Sequence, residues 1–584
     1  MKNILVILFL AGLIFGSAAQ NSTLPRFMTA SEKEKWPDYL QETLLRGKAS
    51  QPPVPVRTMA EWEELAGIQI TWDGSFATIQ RQIVQYAQEE GWVFIVCDDS
   101  NSVKQYLQAH GVPRIRWKFI QAPSNTLWCR DYGPWSVYAE GTNDHYIIDM
   151  IYNRPRPQDD QIPGVMANFL GVPLYACTSS PDNLVHCGGN YMVDGHGTAF
   201  MSKLILQENP GKTEAEIDDI LHRYFGIQRA IKMDVLPYDV IHHIDMHMKL
   251  LDEETLLVGE YPPGVADGPQ IEANLQYILS NFKTCYGRPY KVVRIPMPPD
   301  ANGNYPNNWG DYRTYTNSII VNKTVIVPTY EEKYDTTALR IYREAMPGYR
   351  VVGIDCNQII PLLGAIHCIT KEIGAPEPIL ISHAAIRAAA DTATAFPVIA
   401  KIENAAGIDS ALVFWSTDTT AGFNPLPMTA LPGDSFLAEI PGQSAGNKVF
   451  YYISAKNHNG KWISKPLVAP KGCWTFTVDG VTALNGGANN SPADFRLLQN
   501  YPNPFNATTQ ITFYLDKSSP VELTIYNLLG EEIKTISTGI YGAGQHRVVW
   551  DGTDRYSRLV PSGVYLYRLR AGQTSLFRKM VLLK

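Results

Sequence analysis

Residues able to do chemistry gather in a few short stretches. The densest is His242-His243-Ile244-Asp245-Met246-His247. In an extended strand side chains alternate, so His243, Asp245 and His247 would share one face and His242, Ile244 and Met246 the other. His243 with Asp245 then reads as an acid/base or binding pair; a metal site and a hydrogen-bonded structural strand are the competing readings. The metal reading finds no H-E-x-x-H or paired C-x-x-C pattern to complete a ligand set, and no metal is expected.

In Trp128-Cys129-Arg130-Asp131-Tyr132-Gly133-Pro134-Trp135, one carboxylate stands among aromatics at a Gly-Pro turn. That setting suits a planar cation, which gains cation–π contact and a carboxylate fork, although an Arg-Asp dipeptide is equally an ordinary loop ion pair. In Tyr152-Asn153-Arg154-Pro155-Arg156-Pro157 each proline holds the residue before it extended, so Arg154 and Arg156 should project to the same side. Two guanidinium forks on a stiff loop suit a carboxylate; a solvated loop is the alternative. Cys129, Cys187, Cys356 and Cys368 are all candidate thiols. A nucleophile needs its thiolate stabilised, and residue type does not choose among them, because a buried cysteine is ordinarily packing.

These stretches need elements to hold them. From Val54 to about Ala375 the pattern alternates helices and strands: Phe76 to Glu90 carries Ile79, Ile83, Val84 and Ala87 on one stripe, and Trp92 to Val96 is a buried strand. Strand–turn–strand units begin near Trp135, Tyr191, His247 and Ser318, spaced 56, 56 and 71 residues apart, the clearest being Met248–Val258 and Asn317–Pro328. Each follows a polar cluster, which points to pseudo-symmetric units around a shared centre. From Glu377 to Val478 the texture becomes short alternating strands, such as Ala411–Trp415 and Lys448–Ile453, as in a β-sandwich. Residues 480–494 read as a Gly/Asn/Ser linker, and 495–584 as a second small sandwich.

The 584 residues carry 50 Lys+Arg against 57 Asp+Glu, a balance that excludes a chain built as a basic nucleic-acid-binding field. Charged content of 18% with 44 Gly and 40 Pro indicates a loop-rich, β-heavy protein, and eight cysteines are too sparse for a disulfide scaffold. Lys2, the apolar run Ile4–Phe15 and Ser17-Ala18-Ala19 form a signal-peptide pattern, cut after Ala19. No later stretch is apolar for long enough to span a bilayer. Residues 20–50, polar and punctuated by prolines, are expected to be a loosely held leader.

The motifs Met59-Ala-Glu-Trp-Glu63, Trp128–Pro134, His186–Gly195, His243-Ile-Asp245, Tyr315-Thr-Asn317 and Gly364–Thr370 resemble, in order, the agmatine deiminase and bacterial (Porphyromonas-type) peptidylarginine deiminase group. The resemblance implies an α/β fold for residues 51–375, a five-bladed pseudo-symmetric α/β propeller (pentein), followed by two small all-β sandwich domains. It implies Cys368 as nucleophile, His243 as general acid/base, Asp131 and Asp245 as the carboxylates gripping a guanidinium, Asn317 as an orienting residue and Trp128 as a pocket wall. Arg154 and Arg156 resemble the pair that binds the carboxylate of a C-terminal arginine, whereas Val240 stands where the family has Tyr.

The implied activity is hydrolytic deimination of arginine to citrulline through a covalent Cys intermediate, on peptides and proteins ending in arginine, with no cofactor. Agmatine deimination and a secreted, non-catalytic adhesin are the alternatives. Residues 376–479 resemble the Ig-like domain of secreted relatives. Leu498–Asn506, Gly563–Arg568 and Phe577–Lys584 resemble a type IX secretion sorting domain, which implies the secretion machinery as a partner and a secreted or outer-membrane surface location reached through the periplasm.

Overall fold

The computed structural model describes residues 23–387, 395–478 and 496–583, apart from 501, 516, 528–531, 557 and 572–573. The expected signal peptide and the 480–494 linker lie outside the described residues. One compact unit runs from Met1 to Val481 and a second from Thr482 to Lys584.

In the first unit one order of elements recurs: an antiparallel strand pair, a helix, then a strand parallel to the second of the pair. Met248–Asp252 pairs antiparallel with Thr255–Glu260, which runs parallel to Lys291–Pro296 after the helix Gly268–Asn281. Ile319–Val321, Thr324–Thr329, the helix Glu332–Ala345 and Arg350–Asp355 repeat the order. So do the sheets begun by Trp135–Ala139 and by Met192–Val193. A fifth sheet joins the two ends of this region: Lys371–Gly374 pairs antiparallel with Leu65–Thr71, which runs parallel to Trp92–Cys97 across the helix Ala77–Ala87. All four hairpins expected from the sequence are present. Their strands are buried on both faces, because helices cover one side and neighbouring sheets the other, so they read as continuous apolar runs such as Val93–Cys97.

The helix Ala77–Ala87 buries Ile79, Ile83, Val84 and Ala87, the stripe expected at helical period. Residues 396–478 form two facing antiparallel sheets, with Phe396–Glu403 alternating buried and exposed positions and Ile408–Ser416 paired to Lys448–Asn457. The second unit is likewise two sheets around Phe513, Leu523, Trp550, Tyr567 and Met580.

Two expectations are corrected. The leader is not loosely held: Ala30–Arg46 is a helix capped by Thr29, whose side chain takes the backbone N–H of Glu32 while Glu32 reaches back to Thr29. Ala49–Ser50 adds a strand beside Leu174–Cys177, and Arg26 is fully buried. Nor is His242–His247 a strand. His243 is extended, but Ile244–Met246 form a 3-10 turn and the strand begins at Met248. The turn brings the Asp245 carboxylate to Arg26 and His367.

Candidate active site

The short polar segments preceding the hairpins converge on one buried point, and the guanidinium of Arg26 occupies it. Asp131 takes Arg26 Nε at 2.8 Å and Nη2 at 2.9 Å in a two-pronged fork. Asp245 takes Nη1 at 3.3 Å and Nη2 at 3.2 Å. The Sγ of Cys368 lies 2.6 Å from Nη1. Asp131 comes from the single turn Cys129–Tyr132, Asp245 from the 3-10 turn after His243, and Cys368 from the turn His367–Ile369. Short turns suit this work, since they aim consecutive side chains inward without the alternation a strand imposes.

Charge explains the arrangement. Burial pulls the Asp131 carboxyl up, but Arg26 and then His243 outweigh it, leaving its pKa below the ordinary value. For Asp245, Arg26 and His367 overcome burial by more, and the group is held well down. Arg26, despite burial, is held well above its usual range by the two carboxylates. Burial pushes the Cys368 thiol well up, and Arg26 offsets part of that rise. Burial followed by the Arg26 charge drives the His243 imidazole down to about 3.

Around this centre the other expected residues take distinct places. Asn317 Oδ1 accepts from the backbone N–H of Ala365 at 3.2 Å, His367 at 3.1 Å and Cys368 at 3.4 Å, and from the Cys368 thiol at 3.2 Å. It thus orients the loop that carries the thiol. His243 Nδ1 lies 3.6 Å from Asp131, and its Nε2 lies 3.0 Å from Cys187 Sγ. Arg154 donates Nε to the carbonyl oxygen of Arg26 at 3.0 Å. Arg156 donates to Glu32 at 2.8 Å and to the Pro25 carbonyl at 2.7 Å. Trp128 makes no cation–π contact to Arg26 among the described residues. Its indole N–H instead holds the Leu24 carbonyl at 2.8 Å, and its ring abuts Gly364 beside Cys368. Of the other candidate cysteines, Cys129 and Cys356 are buried, and the Cys187 Sγ lies against His243 Nε2. Val240 is exposed on the surface.

Several participants were missed. Arg26 carried no local signal beyond its type. The Thr29-x-x-Glu32 capping box was legible and would have marked an ordered segment. His367 links Asp245 (2.8 Å) to Glu61 (3.0 Å), and Lys249 donates to Glu61 at 2.6 Å, a chain that holds the Asp245 carboxylate in place. Gly189 donates its backbone N–H to Asp131 at 3.1 Å; a Cβ there would stand 1.8 Å from Arg26 Nη2 and 2.5 Å from His243 Nδ1. A cavity of about 480 Å³ lies away from this point, between the Asp252–Glu254 turn and the first sandwich. His186, Cys187 and Glu208 bring one ligand atom each within 4.8 Å of one another next to His243.

The family model of Porphyromonas-type peptidyl-arginine deiminase matches residues 57–374, more than half of the chain and every site residue except those of the N-terminal segment. The chain belongs to this family. This deiminase is 25% identical over 273 residues to a Streptomyces avermitilis protein named "Putative agmatine deiminase", covering 43% of this chain and 76% of that one. A Streptomyces coelicolor protein of the same name is 26% identical over 340 residues, with 55% and 93% covered. A solved structure of an agmatine deiminase, itself titled putative, superposes with a TM-score of 0.50 at 22% identity over 56% of this chain and 99% of that one. The deiminase region therefore has the α/β pentein fold. Residues 500–575 match the FlgD Ig-like domain model, in keeping with the second unit's β-sandwich.

Proposed function

We propose that this deiminase converts peptidyl arginine to citrulline, with arginine at a peptide C-terminus as its preferred substrate. The observation that carries this reading is the occupant of the site: an arginine within a peptide, gripped by Asp131 and Asp245 beside Cys368, with Arg154 on its backbone carbonyl and Arg156 on a carboxylate. A C-terminal arginine would present one carboxylate oxygen where the Arg26 carbonyl now sits, and a second negative oxygen for the neighbouring guanidinium forks.

The chemistry follows from the positions. Guanidinium is delocalised and a poor electrophile, so its plane must be held while a strong nucleophile attacks. The cation beside Cys368 favours loss of the thiol proton. Sγ bonds to Cζ as the thiol proton passes by way of His243, unprotonated at rest, to the departing nitrogen, and ammonia leaves. Nη2 is the candidate leaving group, since it and His243 Nδ1 both crowd Gly189. Water, losing its proton to His243, then adds to Cζ, the C–S bond breaks, and the ureido product and free Cys368 result.

Agmatine deimination is the second reading, favoured by the names of the curated relatives. Agmatine has no carboxylate for Arg154 and Arg156. Turnover of a peptide ending in arginine, its C-terminal amide, a peptide with internal arginine and agmatine separates the readings by product mass. We expect the free C-terminus to be fastest; agmatine outrunning it would favour the second. In the peptidyl-arginine reading the five sheets are the blades of a propeller, residues 1–19 are an export signal, 376–479 an Ig-like support, and 495–584 a type IX sorting tail. The tail's removal should leave activity intact while trapping the protein inside the cell.

A further inference from the structure

We propose that Arg26 is itself a substrate of Cys368 in the same chain, and that its conversion to citrulline opens the site to outside substrates. The inference rests on the deiminase reading above and adds a modification site to it. The N-terminal segment uses the recognition groups an external substrate would need. Asp131 and Asp245 hold the guanidinium, Arg154 the carbonyl of Arg26, Arg156 that of Pro25 and the Glu32 carboxylate, Trp128 the carbonyl of Leu24, and the backbone N–H of Arg26 donates to Leu362 at 3.2 Å. The guanidinium is completely buried with the Cys368 sulfur against it. A side chain in that place cannot be bypassed: any other arginine must wait for it to leave.

The segment is also tethered at its far side. The helix Ala30–Arg46 is anchored by Tyr39, which donates to Asp160 at 2.8 Å, and by Glu32 on Arg156. Arg26 is thus presented intramolecularly, at an effective concentration on the order of millimolar or more.

The reaction balances with water alone. Sγ bonds to Cζ, the Cζ–Nη2 bond breaks and ammonia leaves with the thiol proton relayed by His243; water adds to Cζ, losing a proton to His243, the C–S bond breaks, and the thiol is restored. The product side chain is neutral. Asp131 and Asp245 then face a ureido group with no positive charge to offset their burial, and the segment loses its strongest hold while Leu24, Pro25 and Arg26 keep only backbone contacts. Self-conversion would occur once per chain and convert a filled site into an accessible one.

The test compares the full-length chain with Cys368→Ala, using peptide mass spectrometry at position 26. We expect citrulline at 26 in the unaltered protein, arginine in Cys368→Ala, and a conversion rate unchanged on dilution. Cys368→Ala chains mixed with active Arg26→Gln chains should keep their Arg26. The Arg26→Gln protein should turn over a peptide ending in arginine without the lag shown by freshly made unaltered protein. Arginine persisting at 26 in a protein that deiminates added substrate overturns the self-conversion and leaves the deiminase reading standing. Loss of Arg26 by conversion between chains overturns it too. If Arg26→Gln folds and deiminates neither peptide nor agmatine, the underlying reading falls and the inference with it. The mass comparison needs only the unaltered protein and Cys368→Ala, so it decides even if Arg26→Gln does not fold.

Discussion

Arg26→Gln in a Cys368→Ala background removes the cation that Asp131 and Asp245 share and prevents turnover of added ligand. Both carboxylates are at most 2% exposed, so solvent does not screen the change. Breaking a buried ion pair from one side costs about 3 to 5 kcal/mol, because the remaining charge is left without a partner. The Gln amide returns roughly 1 kcal/mol through a neutral hydrogen bond. A net loss of about 2 to 4 kcal/mol lowers the melting temperature by on the order of 5 °C in a unit of this size. The vacated pocket should then respond to ligand: arginine or agmatine at a hundred times its Kd restores about 2.7 kcal/mol. Cys368→Ala alone, its pocket filled by Arg26, should shift little under the same additions. Differential scanning calorimetry of the two proteins, with and without arginine, agmatine and a peptide ending in arginine, reads both effects. An unchanged melting temperature in the double variant, or equal ligand shifts in the two proteins, would refute the placement of the guanidinium between the two acids.

Three further outcomes follow from the same geometry. Gly189→Ala puts a methyl group where Nη2 and the His243 ring meet, so kcat/KM for arginine substrates should fall by about 100-fold or more while circular dichroism stays unchanged. Asn317→Ala leaves the backbone N–H groups of Ala365 and Cys368 without their acceptor, while His367 keeps the Asn317 carbonyl, and kcat should drop by about 100-fold with KM changed much less; the reverse split would show that Asn317 contacts substrate. Asp131 and Asp245 contribute to the pH dependence of stability, because their folded pKa values lie below the unfolded value of about 3.9. Their contribution is complete above that value and is lost as pH falls through the folded pKa values. Acid unfolding of the unaltered protein should therefore steepen below about pH 4, and Arg26→Gln should shift that limb toward neutral pH; coincident acid limbs would contradict the pairing.

Much of this protein could be read from residue order. The stripe Ile79, Ile83, Val84, Ala87 and the hairpins Met248–Glu260 and Ile319–Thr329 follow from local periodicity, which needs no partner to be legible. The side chains capable of chemistry were also evident, because carboxylate, imidazole, thiol and paired guanidinium groups are few and clustered. Residue order was misleading where a buried partner from far along the chain decided the outcome. His243-Ile-Asp245 leaves strand geometry to direct Asp245 at Arg26 and His367, 219 and 122 residues away. Trp128, in a cluster that suited either a planar cation or a loop ion pair, holds the Leu24 backbone carbonyl from across 104 residues.

Sequence by itself determined the element types, the two sandwiches and the inventory of reactive groups, since those depend on neighbours within a few residues. Tertiary structure alone decided what lies against Cys368: it meets Arg26 across 342 residues of chain, and no local pattern encodes a contact of that span. It also turned a segment that read as a loose leader into the occupant of the site. The physical reason is charge. Two buried acids require a cation, and folding supplies the chain's own arginine.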